Sequence, residues 1–365
     1  MGSVTDVAAF RAQFPVLAEK SFMNAGTEGP LPAAAAKAVA ERLEYETSHG
    51  RSGMDYIETI KDLAQRARVG YARVLGADPS DVALTGSTTD GCNTVLAGLD
   101  LQAGDQVVTS DEEHPGLLAP LGRLRRRGIE VVVAPFSQIA EAVTSKTRLV
   151  ACSHVSWVNG KVVDTEALTA TGVPFLLDAA QALGAVPVDV GALGCAFYAG
   201  SGQKWLCGPE GSGALFVRRD MLDELLVPWP GYSAVAPKTD PLDFEPAPDA
   251  ARLDHGFPSG VRSVWSLASL DVFEQAGWEW VHGRAAGLAA SLAEQLADRG
   301  LTVAPRGRST LVSWSAADPE AEVARLAAER IVVRSIPSHA LVRASPGAWS
   351  TEPEITRLAE LAAAG

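Results

Sequence analysis

An α/β fold built on a mostly parallel sheet, followed by a smaller α+β unit, is what this sequence predicts, and three observations carry the prediction. From about residue 70 to 220, short apolar runs rich in β-branched residues alternate with helical stretches, the pattern of a parallel sheet covered on both faces. Residues 226–260 break that pattern with a stretch rich in Pro, Asp and Gly. Beyond it the periodicity changes to two amphipathic helices followed by short strands and helices. With 365 residues, 47% of them hydrophobic and 21% charged, the chain has material for more than one unit with a full core.

Along the chain, ADPSDVALTG leads into a strand, and Ser87–Leu99 reads as a helix behind a Gly and three consecutive hydroxyl residues. Gln106–Thr109, Glu130–Ala134, Leu149–Ser153, Val173–Asp178, Ala196–Ala199 and Gly213–Val217 read as buried strands, each short, apolar and bounded by Gly, Pro or polar turn residues. A helix is expected at Pro115–Arg127. The segment 226–260 is too long for a simple connection and reads as functional or interfacial. Val264–Trp280 and Arg284–Arg299 then read as helices, Ser309–Trp314, Ile331–Arg334 and Ala340–Ala344 as strands, and Pro319–Glu329 and Glu352–Ala364 as helices. The expected division is an N-terminal arm over 1–20 packing with the small unit, a large domain over 21–260 and a small C-terminal domain over 261–365.

A formal net charge of −13 argues against nucleic acid or an anionic membrane as partner. No apolar run approaches the length of a spanning helix, and the N-terminus lacks the basic and apolar regions of a signal peptide, so a cytoplasmic protein is expected. Cys92, Cys152, Cys195 and Cys207 lack metal-ligand spacing and read as reduced thiols; no metal is expected. Of the 31 basic residues only seven are lysines, and one of them stands out.

That residue is Lys204, in the Gly-rich stretch GSGQKWLCGPEG between two expected strands. Trp205 and Leu206 beside it favour a partly desolvated, nucleophilic amine. Asp178 ends a buried apolar strand, where α/β folds place their ligand sites and where an ionised carboxylate requires a cation or donors. LTGSTTDG offers a strand, a Gly and hydroxyls at a helix N-terminus, a setting for a phosphate, and Ser201 and Gln203 could add donors. His114, in SDEEHPG, follows a strand and could cover a planar ring. Alone, each has an ordinary explanation: a solvated lysine, a capped helix, a loop histidine. Together they meet the demands of pyridoxal phosphate (PLP), whose aldehyde needs an amine, whose pyridine nitrogen needs a carboxylate and whose phosphate needs backbone and hydroxyl donors.

The chain resembles the fold-type I PLP enzymes of the class V aminotransferase group, through FPVLAEKSFMNAGTEGPLP, ALTGSTTDGCNTVL, DEEHPG, CSHVSWVNGKVVD, LLDAAQALGAVPVDV, SGQKWLCGPEGSG and LVRASPGAWSTEPEI. Within the group it looks most like the cystine or cysteine C–S lyases, through its N-terminal segment, EHPG and KWLCGPEG. The resemblance implies Lys204 as the Schiff-base lysine, Asp178 as the pyridinium partner, Gln181 near the phenolic oxygen, His114 as the stacking ring, and Thr88, Thr89, Ser201 and Gln203 around the phosphate. It places Arg343 at the substrate α-carboxylate, where a planar guanidinium fits bidentately, with Arg334 a candidate for a second carboxylate. It also implies a homodimer with the active site at the interface. Phe257 stands where the partner subunit usually offers a Thr to the phosphate, with Ser259 nearby as a substitute. Val158, with Asn159 beside it, stands where the group often has Asn.

The expected reaction is β-elimination from an amino acid carrying sulfur on Cβ, such as cystine, cysteine or a cysteine S-conjugate, to pyruvate, ammonia and a sulfur product. Transamination and epimerisation use the same residues and stay open. Persulfide-forming desulfuration is disfavoured, because RSIPSHAL, ahead of the VRAS motif, contains no Cys. A non-catalytic binding module is disfavoured by the intact Lys204 loop.

Overall fold

The computed structural model describes residues 6–231, 233–235, 240, 242–243, 245–254 and 256–365. In chain order its elements are α1 (Val7–Arg11), β1 (Ser21–Phe22), α2 (Ala33–His49), α3 (Met54–Leu75), β2 (Val82–Thr85), α4 (Thr88–Gly98), β3 (Gln106–Ser110), α5 (Pro115–Arg126), β4 (Glu130–Ala134), β5 (Thr147–Ser153) and α6 (Thr165–Ala170). There follow β6 (Phe175–Asp178), α7 (Val190–Leu193), β7 (Phe197–Ser201), β8 (Gly213–Val217), α8 (Gly260–Ala276), α9 (Trp278–Asp298), β9 (Val312–Ser315), α10 (Pro319–Ala328), β10 (Ile331–Val332), β11 (Arg334–Ile336), β12 (Leu341–Ala344) and α11 (Glu352–Ala363).

Seven strands form one sheet in the order β2-β8-β7-β6-β5-β3-β4. The pairs from β7 through β6, β5 and β3 to β4 are parallel, whereas β8 runs antiparallel to both β7 and β2. The central strands are buried along their whole length, which is why they read as unbroken apolar runs; edge strand β4 is largely uncovered. The parallel arrangement brings the C-terminal ends of β3, β5, β6 and β7 to one edge, and the site assembles there. A second, antiparallel sheet of order β11-β12-β9 belongs to the C-terminal part. Arg334 on β11 stands opposite Arg343 on β12.

The two ends of the chain meet. Strand β1 pairs parallel with β10, Ser21 against Ile331, and Met23 lies in the same apolar cluster as Leu292, Trp314 and Leu358. In the arm, Phe10 and Phe14 pack on Phe273, Trp280 and Trp349, and Arg11 bonds Glu354 at 2.7 Å.

The structure departs from the expected elements in three places. The stretch expected as one strand over 331–334 is two, because the chain changes partner at Val333, from β1 to β12. The break between the long helices falls at Gly277 (φ 87°), which ends α8 and opens α9, rather than near residue 282. Helices α2 and α3 carry no counterpart in the sequence reading. In α2 only Ala35 and Arg42 are buried, so no apolar stripe announces it; it is held by packing on α8. The described part of 226–260 is largely irregular, and Asp254 ties it to the large sheet through Arg68 (2.6 Å) and the Leu84 amide (2.7 Å).

Candidate active site

Asp178 ends β6, flanked by Ser153 on β5 and Ala199 on β7. Its side chain is buried, accepts one bond, from the Ala180 amide at 2.9 Å, and makes no ion pair among the described residues. Burial raises its pKa; the Ala180 amide and the positive charge of Lys204 oppose the rise. A buried carboxylate this poorly answered is set up for a cationic ligand group.

Lys204 lies on the loop joining antiparallel neighbours β7 and β8. The loop is closed by Gly202 N to Ser212 O and Gly208 N to Gly202 O, both 2.9 Å. Cys207 takes a left-handed conformation (φ 53°), costly for a residue with a side chain, and its carbonyl is held by Trp265 Nε1 (3.1 Å) and Ser269 Oγ (2.9 Å) of α8. From the other side the Gly29 amide donates to Gln203 O at 2.8 Å, and any side chain at Gly29 would strike the Lys204 carbonyl. Burial pulls the Lys204 amine down to about 8, with Arg343 and Arg334 adding and Asp178 opposing.

The N-terminus of α4 meets this loop. Ser87 caps the helix through the Asp90 amide (3.1 Å), and Thr88 bonds Ser201 Oγ through both its amide (3.0 Å) and its hydroxyl (2.7 Å). Gly91 permits the approach, since a Cβ there would lie 2.8 Å from that of Ala199 on β7. Thr89 is exposed at the helix end, and Gln203 Oε1 is buried with no partner. Gln181 already uses both ends of its amide, Nε2 donating to Gly26 O (2.7 Å) and Oε1 accepting from Trp205 Nε1 (3.3 Å).

His114 caps α5, its Nδ1 accepting from the Gly116 amide at 3.0 Å, which leaves the ring proton on Nε2. Burial, aided by the charges of Lys204, Arg334 and Arg343, pulls its pKa down to about 4, so the ring is neutral at physiological pH. Its ring meets Trp157 edge-on, centroids 5.0 Å apart.

The small sheet supplies the arginines. Arg343 is fully buried, donates through Nη1 to Trp157 O (2.6 Å), and leaves Nε and Nη2 with no partner. Burial and then Arg334 pull it down to about 9, still protonated at neutral pH. Gly26 lies against it, for a Cβ there would sit 2.9 Å from Nη2. Arg334 donates to Thr27 Oγ1 (3.2 Å) and lies over the Trp157 ring at 5.9 Å. Neither arginine forms an ion pair with a carboxylate among the described residues.

Three sites stand apart from this group. Asn159 is turned to Glu112 (2.9 Å), which Lys161 also holds (2.8 Å). Ser259 caps α8 through the Arg262 amide (3.3 Å). Ser259 and Phe257 line a cavity of about 1190 Å³ that runs past Arg68 and Tyr71 to Gly86 and Ser212 beside the α4 N-terminus. Sequence reasoning missed Trp157 and Glu113. The signal for Glu113 was present, as an acid directly before the ring histidine at a strand end.

The structure thus brings together a lysine amine, a buried unpaired carboxylate, a hydroxyl-bearing helix N-terminus and a guanidinium with free donors on an α/β frame. The chain belongs to the aminotransferase class-V family, whose profile matches residues 22–358. It is similar to a probable cysteine desulfurase of Methanothermobacter thermautotrophicus, 33% identical over 59% of this chain and 57% of that protein, so it spans a little over half of that relative. It is similar over 93% of both chains to the isopenicillin N epimerase of Streptomyces clavuligerus, at 28% identity. Among solved structures, the cystine C–S lyase C-DES, in complex with its reaction product cysteine persulfide, superposes with a TM-score of 0.90 at 28% identity, over 96% of this chain and 99% of that one. Another structure of C-DES, a mutant, has glycine covalently linked to the PLP cofactor.

Proposed function

We propose that this PLP-dependent class-V enzyme is a carbon–sulfur lyase that eliminates sulfur from Cβ of cystine, cysteine or a cysteine S-conjugate. The residues present fit the coenzyme: Lys204 for its aldehyde, Asp178 for its ring nitrogen, Thr88, Thr89, Ser201 and Gln203 for its phosphate, Gln181 near its phenolic oxygen and His114 against its ring. PLP supplies a carbonyl for imine formation with the substrate amine and a protonated ring that draws electrons from Cα.

In this reading the chain's own groups do the rest. Arg343 takes the α-carboxylate with the donors it leaves unused, and Arg334, directly opposite on β11, takes a second carboxylate where the substrate has one. Lys204 Nζ, with a pKa near 8, is close enough to neutrality to remove the α-proton and give a proton to the departing sulfur. Asp178 keeps the proton on the ring nitrogen, because burial makes its ionised form dependent on a cationic neighbour. Loss of the α-proton and departure of the β-sulfur with the C–S electron pair create a Cα–Cβ double bond. Hydrolysis of that product yields pyruvate and ammonia.

The observation that favours a lyase over a persulfide-forming desulfurase is the state of the thiols. No Cys follows Cys207 in the chain, and all four are buried, with burial raising each thiol above its ordinary pKa. No exposed thiolate stands ready to accept sulfur. A homodimer accords with the cavity beside the α4 N-terminus and with the exposure of Trp229 and Phe257 at 49% each.

The test is product analysis with cystine, cysteine and S-conjugates, scoring pyruvate, ammonia, alanine and sulfur species together. Pyruvate equal to substrate consumed is expected. Alanine with enzyme-bound persulfide and no pyruvate overturns the reading, and inversion at Cα without elimination favours an epimerase.

A further inference from the structure

Glu113 immediately precedes His114 and takes no part in the proposed reaction. Its side chain is 4% exposed. It accepts from the Ser110 hydroxyl at 2.5 Å, the Ser153 amide at 2.9 Å and the Ser153 hydroxyl at 2.5 Å. Ser110 closes β3 and Ser153 closes β5, so one carboxyl ties the loop after β3 to the end of a neighbouring strand. Ser153 is in turn the residue opposite Asp178 in the parallel pairing of β5 with β6.

The bonds of His114 itself run elsewhere. Its Nδ1 and its carbonyl serve the first turn of α5, and its ring edge rests on Trp157. Glu112 ties this segment to Asn159 and Lys161 in the loop after β5, whereas Glu113 bonds the strand end itself, at Ser153 opposite Asp178. A carboxyl is an expensive way to fill a buried position, since an apolar side chain of similar volume costs no desolvation. Here burial pushes it up to about 7, with the charge of Asp178 adding, even though three donors support its ionised form. Such a group gains where orientation matters: its two oxygens fix three donors at once, on two strands.

We propose that Glu113 is a positioning residue that sets the height of the His114 ring above the strand ends carrying Ser153 and Asp178, and thereby the width of the slot that grips the coenzyme ring. The proposal rests on the reading that His114 stacks on that ring. Ring tilt and grip are then properties of the Glu113 staple as much as of His114.

The experiment uses holoenzyme and two optical readouts besides activity: the visible circular dichroism of the bound coenzyme, and its rate of loss into coenzyme-free buffer. Glu113→Gln keeps the shape but turns an amide NH2 toward groups that themselves donate. It is expected to change the amplitude of the visible band and to speed coenzyme loss about tenfold, while far-ultraviolet dichroism stays as in the parent. Ser153→Ala removes one hydroxyl donor and keeps the amide, so the same changes at about threefold are expected. An unchanged band and loss rate in Glu113→Gln overturn the proposal. If that variant fails to fold, an unchanged Ser153→Ala does so. His114→Ala separates the two readings. If it too leaves both signals unmoved, the stacking assignment has failed; if it moves both and Glu113→Gln moves neither, the Glu113 assignment alone has failed.

Discussion

Around the strand ends of the large sheet, most polar groups answer one another within the protein: Thr88 with Ser201, Gln181 with Gly26 and Trp205, Glu113 with Ser110 and Ser153. On the facing small sheet they do not. Arg343 is fully buried with two of its nitrogens unpartnered, and Arg334 has a hydroxyl and an aromatic face instead of a carboxylate. The first region meets most of its own hydrogen-bonding needs and leaves Gln203 Oε1 unpartnered and Asp178 with a single donor, the two groups the proposed coenzyme would answer. The second holds uncompensated charge, whose desolvation cost the substrate carboxylate of the proposed reading would offset.

Substitutions at the two regions should therefore behave differently. Lys204→Ala removes the amine at the centre of the first region, and turnover should fall by roughly 10⁴-fold or more with the fold intact, read from product formation and far-ultraviolet dichroism. Residual turnover within tenfold of the parent would remove Lys204 from the chemistry. Arg343→Met should lower kcat/KM about 10³-fold, through loss of a bidentate, charge-assisted contact, yet leave the melting temperature equal or higher. A clear drop in melting temperature would show that Arg343 is already well paired in the free enzyme, and the contrast drawn above would fall.

The smallest effect concerns pH. An ordinary lysine becomes a free amine near 10.5, and Lys204 is pulled down to about 8. The reactive form is the neutral one, so it accumulates as pH rises through the lower value. The rate at which apoprotein captures PLP should climb with pH and level off above about 8, followed by the rise of the coenzyme's bound absorbance. A rate still climbing at pH 10 would mean that burial does not tune this amine.

Much of the first region was legible in the sequence, and the reason is local. Lys204 sits in a Gly-rich loop beside Trp205, Asp178 ends an apolar run, and Thr88 follows a strand and a Gly, so each carries its setting within a few residues. The boundaries of β4 and β8 were also readable, because each is a short apolar run between turn residues. What stayed hidden depends on distant partners. Trp157 matters through Arg343, Arg334 and His114, none of them near it in sequence. Helix α2 is held by α8, more than 200 residues later. The split of 331–336 into two strands follows from a partner at residue 21 and could not be read from the segment itself.

The pairing of β1 with β10 has a consequence for the order of events during synthesis. The Met23 carbonyl oxygen accepts from the Ser345 amide at 2.7 Å, and Gly26 and Thr27 touch the two arginines. These residues leave the ribosome some 300 residues ahead of their partners. A nascent chain can therefore fold the large sheet and present Lys204 before Arg334 and Arg343 are in place opposite it. The closing step is a long-range one, of the kind that sets folding speed through loop entropy. On the proposed reading, until it happens the chain has its amine but lacks the two arginines that would select what reaches it.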